Sequence, residues 1–181
     1  MSVGDRERWD ERHASSGAVD VRPPDGLDES IDARVSGRAL DVACGRGGQS
    51  VWAALRGLAV VALDVSPVAV EATSQLAVDH GVDDRVDARV VDLDDGLPSG
   101  LGSFDLVICQ RYRQPDLIGP LADALVPGGV LVASVLSLVG ADAPGRFHAP
   151  AGELEGVVRS AGLTIERSVE ADGVALVVAR R

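Results

Sequence analysis

The chain has 181 residues, of which 46% are hydrophobic and 25% charged, proportions that suit one buried core of domain size and exclude a disordered polar tract. Its 17 basic and 28 acidic side chains leave a formal charge of −11, a field that repels polyanions and sets nucleic acid aside as a partner. Cys44 and Cys109 are too few for a disulfide scaffold or a thiolate zinc centre, and no metal site is expected.

In chain order, residues 1–37 read as a polar lead-in, with Pro23-Pro24-Asp25-Gly26 as its clearest loop. The opening MSVGDRERWDERH is charged from Asp5 onward and lacks the apolar core of a secretory leader, so a cytoplasmic location is expected. From Arg38 short apolar runs alternate with helical patterns. ALDVAC (39–44), LAVVALD (58–64), RVDARVV (85–91), FDLVIC (104–109) and GVLVASVL (129–136) read as strands, mostly apolar on both faces as in a covered parallel sheet. Helices are expected over 49–56, over 67–79 with Pro67 in the first turn, and over 116–125. This alternation implies an α/β fold with right-handed crossovers and an open doubly wound sheet. A further helix near 151–161 precedes LTIERSV (163–169) and GVALVVAR (173–180), which flank Asp172-Gly173; these last two strands are expected to pair antiparallel. The longest apolar stretch, Val130 to Val139, is broken by Ser134 and Ser137 and falls far short of the roughly 20 residues of a membrane span, so no membrane partner is expected.

Ligands of such a sheet bind at the carboxyl ends of the strands, beside the point where strand order reverses. The first strand runs into Asp41-Val-Ala-Cys44-Gly45-Arg-Gly47-Gly48-Gln-Ser, a Gly-rich turn entering a helix. Glycines there permit positive φ and let a ligand approach the backbone. Asp41 would repel a pyrophosphate but favour a phosphate-free ligand bearing an ammonium group, and no GxxxxGK[ST] loop exists for ATP. The second strand ends at Asp64, where a carboxylate can take both hydroxyls of a ribose. The third ends at Asp92-Leu93, an acceptor for an exocyclic amine beside an apolar cover for a ring. Acids at three successive strand ends describe S-adenosylmethionine better than other common cofactors. The competing reading is that each is an ordinary solvated loop acid in an Asp-rich chain.

ALDVACGRGGQSVWAALRG, VVALDVSPVAVEAT, VVDLDDGLP, SFDLVICQRYR and ALVPGGVLVAS, in this order, resemble the class I S-adenosylmethionine-dependent methyltransferases. WDERH, DLDDGLP and RYR look most like the small tellurite-resistance and thiopurine methyltransferases. The resemblance implies a single Rossmann-like methyltransferase domain over 1–181, with 1–37 as a lid and 38–181 as the core. It also implies that Asp41, Gly45 and Gly47 surround the methionine portion of the cofactor. Asp64 with Val65 would meet the ribose, Asp92 with Leu93 the adenine, and Gln110 the methionine side through its backbone. Trp9 and Arg12 match a segment that folds back over the cofactor; Trp9 as a packing anchor and Arg12 as part of a solvated charged face are the alternatives.

The acceptor is less legible. No [Asn/Asp]-Pro-Pro-aromatic signature follows the fourth strand, which argues against methylation of amide or adenine nitrogens. Arg111, Tyr112, Arg113, Arg146 and His148 stand near the expected acceptor pocket. They suggest a small anionic acceptor, a thiol or a chalcogen oxyanion, unless the arginines pair with carboxylates such as Asp116 and Asp142. Tyr112, His148 and Arg111 are the catalytic candidates, and His13 or His148 could act as a base. A cofactor-binding sensor or partner subunit without turnover is the non-enzymatic alternative. Every basic residue is Arg, with no Lys and no Asn, and 20 of the 28 acids are Asp. GC-rich codon usage explains the missing Lys and Asn, whereas the acidic excess points toward a high-salt cytoplasm.

Overall fold

The computed structural model describes residues 3–15, 17–27 and 37–181. The chain divides into two compact units, 1–23 with 36–101 and 24–35 with 102–181. The first contains α1 (Val3–Ser15), β1 (Arg38–Val42), α2 (Gly48–Leu55), β2 (Ala59–Asp64), α3 (Pro67–Asp79) and β3 (Val86–Val90). Both β1 and β3 pair with β2 in parallel, in a register that sets Asp41 beside Ala62 and Asp64 beside Val90. Leu40, Val42, Val60 and Leu63 are buried, as are Val51, Ala53 and Ala54 of α2 and Ala69 and Ala77 of α3. That is the pattern of strands covered by helices.

Three expectations need adjustment in this unit. The first strand stops at Val42 and not at Cys44, because Ala43 turns the chain with φ 53. The run 85–91 is not covered on both faces: β3 is largely exposed, Val90 being 49% accessible, and Asp87 and Arg89 alternate with its apolar residues. The start of the lead-in is helical. Its apolar periodicity is weak, but Arg and Glu favour helix, and Arg12 and His13 in the last turn complement the helix dipole.

The second unit holds β4 (Phe104–Gln110), α4 (Ile118–Asp123), β5 (Leu125–Leu136), α5 (Glu153–Ser160), β6 (Thr164–Ala171) and β7 (Val174–Arg180). β4 and β5 are parallel; β7 runs antiparallel to β5, and β6 antiparallel to β7. The terminal hairpin is thus as expected, turning on Asp172 and Gly173 at φ 50 and 78. β5 starts at Leu125, earlier than the expected 129, and a register shift between Phe104 and Leu106 absorbs the Pro127-Gly128-Gly129 segment. The expected helix 116–125 is divided into a 3-10 turn, Pro115–Leu117, and the short α4. Phe104, Leu106, Ile108, Leu121 and Leu131 form the centre of this unit's core. Among the described residues no helix is long and apolar enough to cross a membrane.

Candidate functional site

The carboxyl ends of β1 and β2 bring two acids together below the Gly-rich turn. Asp41 is 1% exposed, and its Oδ2 accepts a hydrogen bond from the Ser50 hydroxyl at 2.6 Å. Asp64 is 6% exposed; its Oδ2 accepts from the Gly45 N–H at 2.8 Å and its Oδ1 from the Ser66 N–H at 2.9 Å. Burial pushes the Asp41 carboxyl up to about 7, against the Ser50 hydrogen bond and with repulsion from Asp64 adding to it. Burial also raises Asp64, opposed by the N–H groups of Ser66 and Gly45. Cys44 lies in the same cluster, where burial first and the two carboxylates next hold its thiol protonated. A thiol pushed up in this way is a poor nucleophile.

The three glycines of the turn do different things. Gly47 has φ 80, and a Cβ there would come within 2.5 Å of Thr73 Cγ2 on α3. A Cβ on Gly48 would collide with the Asp20 carbonyl, so the lead-in passes directly over the start of α2. Gly45, with φ 55, would meet only His13 Cε1 at 3.5 Å. The expected positive φ is thus present at Gly45 and Gly47, and Gly45 has the more open surroundings. Gly47 makes room for Thr73, whose hydroxyl lies 3.1 Å from the Gly45 carbonyl, and Gly48 makes room for the lead-in.

Val65 is half-buried between β2 and α3. Asp92 is partly exposed, and its Oδ1 accepts from the Asp94 N–H at 3.0 Å, capping a short turn in which Leu93 is buried. On α1, Trp9 is half-buried and not a core anchor. It stacks with His13 at 5.9 Å between centroids, and the exposed Arg12 lies over its ring at 5.3 Å. Asp10 accepts from the Ser66 hydroxyl. His13 is held below its ordinary pKa chiefly by burial, against the attraction of Asp64.

In the second unit, β4 ends at Gln110, whose Oε1 accepts from the Ser134 hydroxyl at 3.2 Å. That hydroxyl oxygen accepts in turn from the Arg111 N–H at 3.1 Å, while Arg111 sits in the left-handed region at φ 57. Gln110 Nε2 is a buried donor with no hydrogen-bond partner. The Tyr112 hydroxyl donates to Gln114. Arg113 forms a two-pronged pair with Glu153, 2.7 Å at each nitrogen, in place of the expected Asp116 or Asp142. Arg146 lies over the Phe147 ring at 4.4 Å. His148 Nδ1 is engaged by the Gly145 N–H at 3.0 Å. Of the expected arginines, Arg113 is thus held by a carboxylate, while Arg111 and Arg146 are exposed.

Three site residues were not singled out from sequence. Ser50 reads there only as the end of the Gly-rich turn, yet its hydroxyl is the partner of Asp41. Ser66 did carry a signal, since Ser before Pro at a helix start is a capping pattern. Asp10 had none, because its partner lies 56 residues away.

Among known proteins, the family described as a methyltransferase domain matches residues 39–129. Ribosomal protein L11 methyltransferase of Methylococcus capsulatus is 36% identical over 136 residues, covering 68% of this chain and 44% of that protein. The chain spans about half the length of the curated relatives it matches. The crystal structure of TehB from Haemophilus influenzae aligns with a TM-score of 0.68 at 16% identity, over 87% of this chain and 63% of that one. A geranyl diphosphate C-methyltransferase from Streptomyces coelicolor, solved with S-adenosyl-L-homocysteine, aligns at 0.70 and 14% identity over 97% and 96%. These structures give the Rossmann-like fold class expected from sequence.

Proposed function

The chain belongs to the methyltransferase-domain family, and from that premise we propose that it is an S-adenosylmethionine-dependent methyltransferase acting on a small-molecule acceptor. The observation that carries this reading is the buried pair Asp41 and Asp64 on the Gly45 turn. Two carboxylates raised by burial, one to about 7, are stabilised by a cationic ligand and would be destabilised further by a phosphate. The residues present therefore fit a phosphate-free cationic cofactor. Asp41 would attract its ammonium group. Asp64, which has lone pairs left after its two backbone hydrogen bonds, would take ribose hydroxyls. Asp92 would accept from the adenine amine, and Gly45 would allow close backbone approach.

When bound, S-adenosylmethionine supplies a methyl group already made electrophilic by its sulfonium. The work left to this chain is to align an acceptor and exclude water. Within the second unit, the unpaired Gln110 Nε2 can donate to a carbonyl, carboxylate or oxyanion, and the exposed Arg111 can attract an anion. Neither Tyr112 nor His148 stands out as a general base, since the first donates to Gln114 and the second is engaged within its own loop. A soft acceptor, a thiol or a chalcogen oxyanion, which needs little base assistance, suits such a site.

The test has two stages. Calorimetry should find one site for S-adenosylmethionine and its demethylated product and none for nicotinamide dinucleotides; the opposite preference would overturn the cofactor assignment. Tritium transfer from the labelled cofactor to pooled small thiols and chalcogen oxyanions should then find the acceptor class. Activity on folded protein or tRNA alone would refute the small-acceptor reading while sparing the cofactor.

A further inference from the structure

The end of β2 is covered by the chain's own N-terminal segment, through contacts that neither fold nor cofactor binding demands. Asp10 and His13 are three apart on α1 and so share one face. Asp10 Oδ1 accepts the hydroxyl hydrogen of Ser66, a fully buried residue whose oxygen also accepts from Ala69 N–H at 3.1 Å as the cap of α3. His13 lies against Gly45, the one turn glycine with room beside it, and close enough to Asp64 to feel its charge. Two residues beyond α1, the Gly17 carbonyl accepts from the Arg46 guanidinium, and the Asp20 carbonyl crosses Gly48. Helix and following segment thus lie across the same turn, pinned at Ser66, Gly45, Arg46 and Gly48.

We infer that, in the N-terminal lid that the family resemblance implies, Asp10 is the positioning residue that latches α1 and the segment 17–20 through Ser66, and that His13 is the residue of this strap that meets the bound cofactor. The inference rests on the cofactor reading above. Trp9, named by the family resemblance, stacks on His13 and carries Arg12 over its ring; Asp10 contacts Ser66, and His13 lies beside Gly45. Cofactor entry and product exit then require the strap to lift, and the latch sets how often it does.

S-adenosylhomocysteine is the probe, with its dissociation rate followed by stopped flow and amide exchange of residues 6–15 followed without ligand. Asp10→Ala removes the latch and leaves the Ser66 cap of α3 in place. It should speed dissociation tenfold or more and increase exchange in α1. Asp10→Asn keeps an acceptor oxygen for the Ser66 hydroxyl and should restore most of the wild-type rate, which a general loss of helix stability would not predict. His13→Ala, with the latch intact, should weaken equilibrium binding at least threefold without raising exchange in α1. An unchanged dissociation rate in Asp10→Ala, or equal loss in Asp10→Ala and Asp10→Asn, would overturn the latch. Wild-type affinity in His13→Ala would overturn its contact. If the wild-type protein binds no S-adenosylhomocysteine, the cofactor reading itself fails and the strap's role in exchange falls with it. Binding with a rate indifferent to Asp10 sinks the strap alone.

Discussion

Replacing Asp41 with Asn should make the protein more stable at neutral and alkaline pH while weakening its hold on a cationic ligand. In the native state burial pushes this carboxyl from 3.8 up to about 7. Between those values the native protein keeps a proton that the unfolded chain has lost, so stability falls as pH rises through this window and is fully reduced above about 7. At 1.36 kcal/mol per pH unit the gap corresponds to about 4 kcal/mol at most. Asn removes that loss, and its amide oxygen still accepts from the Ser50 hydroxyl. Urea denaturation at fixed ionic strength should therefore find the two proteins nearly equal close to pH 4 and Asp41→Asn ahead by up to about 4 kcal/mol at pH 8. In the same window, binding of S-adenosylmethionine to the wild type should release a proton, visible as a buffer-dependent binding enthalpy, and Asp41→Asn should bind more weakly without that release. Parallel stability curves for the two proteins from pH 4 to 8 would refute the assignment of a buried, proton-retaining Asp41.

Asp64→Ala should weaken cofactor binding by about 2 kcal/mol or more in calorimetry, and should also lower the melting temperature because the Gly45 and Ser66 N–H groups lose their acceptor; an unchanged dissociation constant in a folded variant would show that this acid does not meet the ligand. Gly47→Ala should cost about 2 kcal/mol or more by chemical denaturation, since the new methyl combines a positive φ with a close approach to Thr73. A loss below about 0.5 kcal/mol would show that the turn relaxes freely. With a net charge of −11, the thermal midpoint should rise in molar potassium chloride, where the Debye length is about 3 Å; a flat or falling midpoint would favour codon usage as the source of the acidic composition.

The elements most readable in advance were those whose signal is local. β2 and α3 are a continuous apolar run followed by Ser-Pro, and the terminal hairpin is two β-rich runs about an Asp-Gly turn; both lie where the pattern put them. Misjudged boundaries came from backbone events that hydrophobicity does not report, such as the left-handed Ala43 that ends β1 and the register shift that lengthens β5. At the site, Asp41 and Asp64 were legible because they lie at or next to the carboxyl ends of strands that pair side by side. The contacts of Asp10 and His13 were not, since a charged helix of weak amphipathicity gives no sign of which face it will bury. The partner of Arg113 was hidden for another reason. Arg113 found its carboxylate on α5, 40 residues away, and a long flexible side chain takes whichever partner the fold delivers.

Arg111 occupies a backbone conformation that most side chains avoid, directly after the last residue of β4. Holding a residue with a Cβ there costs about 1 kcal/mol relative to glycine. The strain is tied to position, because the Arg111 N–H reaches the Ser134 hydroxyl that orients the Gln110 amide. The φ value that is awkward for arginine is therefore the one that sets the neighbouring amide. Glycine at 111 would relax the backbone and keep that network, which uses only the residue's N–H, while removing the side chain and its charge. The fold thus places a positive charge at a corner where glycine would be more comfortable, and Arg111→Gly separates the charge from the scaffold more cleanly than alanine does.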